Sequence, residues 1–137
     1  MAVASDAALD TIECDVLASR HGARVAIRRR IRHEFDGLDD QKKGRLQAIM
    51  GLWCEGRALT PQMFNGNEGR TSIHNVMLQA FKTFKVRLYG FSSDVGGKRT
   101  FVIIDSDPAK KQDKADPKIL KRAKRRIDEL FNDRRGK

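Results

Sequence analysis

Lys82, Lys85, Arg87 and Tyr89 lie close together in the stretch FKTFKVRLYGF, residues 81–91. Phe84, Val86 and Leu88 alternate there with Lys85, Arg87 and Tyr89, the period of a strand with one apolar side and one cationic, phenolic side. By that parity Phe81 and Phe91 join the side of Tyr89, while Lys82 falls on the other unless a turn or bulge re-aims it. Such a set suits phosphate chemistry. Ammonium and guanidinium groups attract phosphates and release their counterions. An aromatic ring stacks an unpaired base. Single-stranded RNA is a ligand that uses both. The plain alternative is a polar sheet face whose Lys and Arg guard against edge pairing. Arg99 follows just past a hairpin, at the expected sheet edge, and Lys110, Lys111 and Lys114 lie in a polar loop beyond it.

Other chemistries find no matching spacing. His21, His33 and His74 share no short motif, and HExxH is missing, so neither a metal nor a cofactor is expected. Gly96-Gly97-Lys98 lacks the upstream glycine of a phosphate loop and has Arg99 where Ser or Thr would bind magnesium. Cys14 and Cys54 show no metal-type spacing and read as reduced, partly buried thiols of a cytoplasmic protein.

These residues need a scaffold. Residues 1–10 read as a flexible leader and 11–18 as a weak first strand ended by His21-Gly22. Ala23, Ile27, Ile31 and Phe35 recur every four residues, which predicts a helix. Arg28, Arg29, Arg30 and Arg32 crowd its other side, as a solvated face or one turned to phosphate or an acidic partner. Asp36-Gly37 marks a turn, and Asp39 or Asp40 can cap a second helix carrying Leu46, Ile49, Met50 and Trp53 as core, to a stop at Gly56. Residues 60–70 are loop. Residues 75–91 are long for one strand, so a hairpin near Lys82-Thr83 or one bent strand is expected. Residues 92–97 form a glycine hairpin turn, and 98–105 a strand covered on both faces. Asp116-Pro117 caps and starts a last helix with Leu120, Ala123, Ile127, and Leu130 or Phe131 inward. The expected fold is α+β: a helical hairpin on a small, mainly antiparallel sheet with a C-terminal helix, one domain over 11–131 and a basic tail at 132–137.

Across 137 residues, 28 Lys and Arg oppose 18 Asp and Glu, a net charge of +10. Residues 108–137 hold 12 basic and 5 acidic residues, +7 of that total. An anionic partner is expected, and no stretch has the length and apolarity of a membrane span.

In their order, LQAFKTFKVRLYGF, GGKRTFVIID and KKQDKADPKILKRAKRRIDEL resemble the RelE/HigB-like toxins of type II toxin–antitoxin modules, in particular the phage-derived branch. LQAIMGLWCEGRALTPQMF is similar to that family's second helix and following loop, so the resemblance covers roughly residues 38–131. It implies a RelE-like fold and a ribosome-dependent mRNA endonuclease that uses no metal and is neutralised by a cognate antitoxin. In such enzymes a ribose 2′-OH attacks the adjacent phosphate while cations stabilise the developing charge. Carried over by position, Arg87 would meet phosphate charge, Lys85 and Lys82 would act as further clamps, and Tyr89 would stack a base or handle a proton. Arg99, Lys110, Lys111, Lys114, Arg125 and Arg126 would bind RNA, contacting mRNA or the ribosome. The chain departs from the family in having no His beyond His74, no Tyr beyond Tyr89, and acids in DSDPAKK ahead of the lysines. A non-catalytic relative that binds RNA or an acidic protein through the same face is the alternative.

Overall fold

The computed structural model describes residues 7–109 and 115–135. A short helix α1 (Ala7–Thr11) leads into β1 (Cys14–Arg20) and β2 (Ala23–Arg28). A 3₁₀ turn (Arg29–Ile31), α2 (Arg32–Asp36) and α3 (Asp40–Cys54) follow. Then come β3 (Phe64–Asn65), β4 (Gln79–Thr83), β5 (Val86–Val95), β6 (Lys98–Asp107) and the long α4 (Pro117–Arg135). The strands form one six-stranded sheet in the order β1-β2-β6-β5-β4-β3. Every neighbouring pair is antiparallel except β2 and β6. The α+β class and the mainly antiparallel sheet are as expected. Among the described residues no helix is long and apolar enough to cross a membrane.

The helical hairpin is not formed. Residues 23–28 are a central strand, and only 32–36 of the expected first helix are α-helical. A spacing of four is also even, so Ala23 and Ile27 share one face of a strand as readily as one face of a helix. Val25 and Ala26 decide the matter, because both are buried and a strand covered on two faces needs both. The leader is also partly folded: α1 buries Leu9 completely. At the other end α4 continues through the expected tail to Arg135, and the Asn132 Oδ1 accepts a 2.6 Å hydrogen bond from the His74 Nε2.

One face of the sheet packs on α3. Leu46, Ile49, Met50 and Trp53 meet Val25, Phe81, Leu88, Phe101 and Ile103. The rings of Phe81 and Phe101 meet edge-on at 4.6 Å, with Trp53 5.8 Å from Phe101. Each fully buried ring contributes about 2–3 kcal/mol. Helix α3 begins where the Asp39 carboxylate accepts from Lys42 N–H at 2.8 Å. It ends in paired turn bonds, Gly56 N–H to Trp53 O and Arg57 N–H to Leu52 O, both 3.0 Å.

The other face packs on α4 and α1, with Ala123, Ile127 and Leu130 against Ala80, Tyr89, Phe91, Val102 and Ile104. Asp116 receives Lys118 N–H at 2.9 Å, so the predicted cap and proline start are found in place. The β5–β6 turn is Gly96-Gly97, both at positive φ, which leaves the strands longer than expected. Tyr89 pairs with Asp105 but Gly90 pairs with Ile103, so Ile104 is an extra residue in β6. This bulge turns Asp105 to the α4 side. There Arg122 grips it with two hydrogen bonds of 2.7 and 2.6 Å, and Arg126 adds an ion pair at 3.1 Å.

Beside the bulge there is no space for a side chain on Gly90. A Cβ there would stand 2.1 Å from Val102 O and 2.6 Å from the Phe101 ring. Gly90→Ala is therefore expected to destabilise by about 3 kcal/mol or more, read as a fall in the denaturant midpoint. Asp128 provides a second test. Burial would raise its pKa, but hydrogen bonds from Thr71 and from the Ile73 and His74 N–H groups outweigh that and hold it below the usual value. Its stabilisation is thus full above the ordinary Asp pKa of ~3.9 and is lost as pH falls through the lowered folded-state value. Asp128→Asn is expected to cost about 1–3 kcal/mol at pH 7, and parent and variant should converge in denaturation series run toward pH 2.

Candidate functional site

Lys82, Lys85 and Arg87 come together, though not as one strand face. The hairpin turns at Phe84-Lys85, just past the expected point. Lys82 and Arg87 are directly opposed in the β4–β5 ladder and so share a face. Lys85 sits in the turn at φ 58, in the left-handed region, and not beside Arg87 on the pleat. The expectation that Lys85 and Arg87 alternate along one strand is therefore corrected: the chain reverses between Thr83 and Val86.

The three cations border one open groove of about 480 Å3, with Arg45 of α3, Pro61 and Gln62 across from the hairpin. No carboxylate is among the described residues that line it. Lys82 donates to Pro61 O at 2.8 Å, which ties the hairpin to the loop after α3. Phe84 stands at the hairpin tip, 72% exposed, with the Lys85 Nζ 5.4 Å from its ring centre. An exposed ring between cations is what stacking on a base requires. Sequence alternation assigned Phe84 to the apolar core face. The turn frees it.

Arg87 is buried for most of its length. Its guanidinium meets Glu68 at 3.0 Å, with side chains only 10% and 8% exposed. Glu68 is held by its own backbone N–H on Leu78 O at 2.7 Å. Arg87 therefore lines the groove while carrying an internal counter-ion, and it is not the open phosphate ligand expected. Lys124 of α4 closes over the neighbouring Gly69, whose Cβ would lie 2.6 Å from its Nζ. Neither Glu68 nor Arg45 carries a sequence signal. Both are distant in the chain and join the site only through loop and helix packing.

Tyr89 is fully buried among Phe91, Val102 and α4, so it cannot stack a base. Burial pushes its hydroxyl up to about 12, against the pull of Arg87, which removes it from proton transfer near neutrality. Arg99 is not a free edge cation. It lies over the Trp53 ring at 3.8 Å and donates to Trp53 O at 2.5 Å, closing the C-terminal end of α3. Arg126 meets the buried Asp105 at 3.1 Å with only 18% of its side chain exposed, so it is not the open RNA contact expected. Arg125 is exposed, paired loosely with Glu129 at 3.7 Å. Lys110, Lys111 and Lys114 lie outside the described residues.

Cys14 and Cys54 are both buried, free thiols, on opposite faces of the sheet. Burial pushes Cys14 up to about 12 and raises Cys54. Neither can serve as a thiolate nucleophile at neutral pH. Among the described residues no three His, Cys, Asp or Glu side chains gather into a metal-holding group. The arrangement can thus hold a polyanion by charge and stack one base at the hairpin tip. No family model, curated protein or solved structure matches the chain.

Proposed function

We propose that the chain is a RelE/HigB-like toxin that engages single-stranded mRNA in this groove, on the ribosome, and cuts it by attack of a ribose 2′-OH on the adjacent phosphate. A cognate antitoxin would neutralise it. The observation that carries the reading is the groove bordered by Arg45, Lys82, Lys85 and Arg87, with no carboxylate among its described lining residues and an exposed Phe84 at its tip. Lys82 and Lys85 would clamp phosphate oxygens and Phe84 would stack the base. Arg87, with its charge shared with Glu68, would add a weaker field. Fixed cations aimed at a phosphate stabilise the charge that builds there without any metal.

A second reading is favoured by a separate observation. No His, Cys, Asp or Glu is among the described residues that line the groove, and the one tyrosine is buried. On that reading the same groove binds RNA and does not cut it.

Arg87→Ala is a poor test, because it leaves Glu68 buried without its partner; a loss of about 3–5 kcal/mol of stability is expected in denaturant titration. Lys85→Gly separates charge from folding. It removes an exposed groove cation and relieves a left-handed backbone that costs a side-chain-bearing residue about 1 kcal/mol. Stability should stay within about 1 kcal/mol of the parent, since glycine's extra freedom in the unfolded chain offsets the relief. RNA affinity should fall several-fold, and the log–log salt slope should shrink by about 0.7 for the lost contact. Cleavage of ribosome-bound mRNA should fall about 100-fold and growth arrest on expression should be relieved. A parent that binds RNA with steep salt dependence but yields no product in translating extracts moves the case to the second reading. A parent that does not bind RNA ends both.

A further inference from the structure

Arg28 and Arg30 belong to an arginine run that the groove does not use. β2 ends at Arg28 and the 3₁₀ turn carries Arg30, so the chain brings both to a small cavity against α4. Arg126 completes three guanidinium groups from three elements, over Ile104 and Leu130. The cavity holds about 60 Å3. That is room for a small polyatomic ion and far below the several hundred Å3 that hold whole organic ligands.

The positive charge here is incompletely answered. Asp105 meets Arg126 at 3.1 Å but is gripped more closely by Arg122. Burial above all, then repulsion from Arg30 and Arg122, lowers the pKa of Arg126 against the pull of Asp105. Among the described residues the ion pair of Arg28 is with Glu13, at 3.9 Å, a carboxylate largely in solvent. Its Nε–H is buried with no hydrogen-bond acceptor among the described residues. Natural folds rarely keep such a donor unless a bound group completes it. Glu129 and Asp133 also border the cavity, yet no ion pair within 4.0 Å ties either to the three arginines among the described residues; Glu129 meets Arg125 at 3.7 Å.

We infer that this cavity is a binding site for a phosphate group, free or at the end of a nucleotide, held by the guanidinium forks of Arg28, Arg30 and Arg126. Planar N–H pairs match the oxygens of a tetrahedral oxyanion, and the buried Arg28 Nε–H gains its acceptor. The site stands independently of RNA binding in the groove.

Thermal unfolding of the full chain, with sodium phosphate titrated against chloride at constant ionic strength, tests it. The parent should show a saturable rise in melting temperature at millimolar phosphate. Arg30 is exposed, so Arg30→Ala should fold, and its half-saturation should move up about 10-fold or more. Glu129→Gln removes a competing carboxylate and should move half-saturation down by about 3-fold, which keeps the test decisive even if Arg30→Ala is unstable. Arg57→Ala, exposed and in neither the cavity nor the groove, should leave the response unchanged. A 5′-phosphorylated dinucleotide acting at lower concentration than inorganic phosphate would name a nucleotide end as the source; equal potency would name free phosphate. A shift that never saturates, or that is the same in parent, Arg30→Ala and Glu129→Gln, overturns the site.

Discussion

The carboxylate of Asp105 is buried without exposed surface between β6 and α4, and much else follows from how it is satisfied. Removing a carboxylate from water costs several kcal/mol unless partners surround it. Arg122 supplies two hydrogen bonds, the Ser106 N–H a third at 2.8 Å, and Arg126 an ion pair at 3.1 Å. Two of these partners sit one turn apart on α4, so the pair sets both the position and the rotation of that helix. With α4 fixed, Asp128 meets the backbone of Ile73 and His74, and Lys124 lies over Gly69 beside Glu68. One buried anion thereby orders the loop that carries the counter-ion of Arg87.

The bulge at Ile104 is what makes this possible. In a regular ladder Asp105 would face α3, on the side of Phe101 and Ile103, away from Arg122 and Arg126 of α4. The extra residue turns it to the α4 side, and Gly90 opposite leaves the space that the displaced backbone and the Phe101 ring occupy. A local irregularity in one strand thus decides which face carries charge. The same face then receives Arg87, the partner of Asp107 across the ladder, and the cations of α4.

What was legible in the sequence was whatever depends on neighbours in the chain. The Asp116-Pro117 start of α4, its apolar stripe, the Asp39 cap and the Gly96-Gly97 turn are all local chemistry, and all are found. Residues 23–35 misled because a spacing of four fits both a helix and one side of a strand. The strand's own mark, burial of Val25 and Ala26 on opposite sides, is visible only once α3 and α4 are in place. The candidate site was legible as a set of cations and illegible as a geometry. Lys82, Lys85 and Arg87 do meet, but the two-residue turn, the counter-ion Glu68 and the contribution of Arg45 arise from contacts between distant segments. Tyr89 alternated with the apolar positions as an exposed residue would, and α4 covered it.

Opposed Lys82 and Arg87 pose a problem whose solution shapes the groove. Like charges directly across an antiparallel ladder destabilise it. The fold answers with unequal treatment: Arg87 is drawn inward to Glu68, while Lys82 reaches out to Pro61 O, so the two heads part. A hairpin held this way projects its turn into solvent, with Lys85 in a left-handed conformation and Phe84 uncovered. Stability alone would place glycine and a polar residue there. A strained lysine beside an exposed ring is a local departure from the pattern that stabilises the rest of the chain, and such departures concentrate where a protein meets its ligand. That makes the hairpin tip, not the strand behind it, the place where charge and aromatic surface are both available to a polyanion.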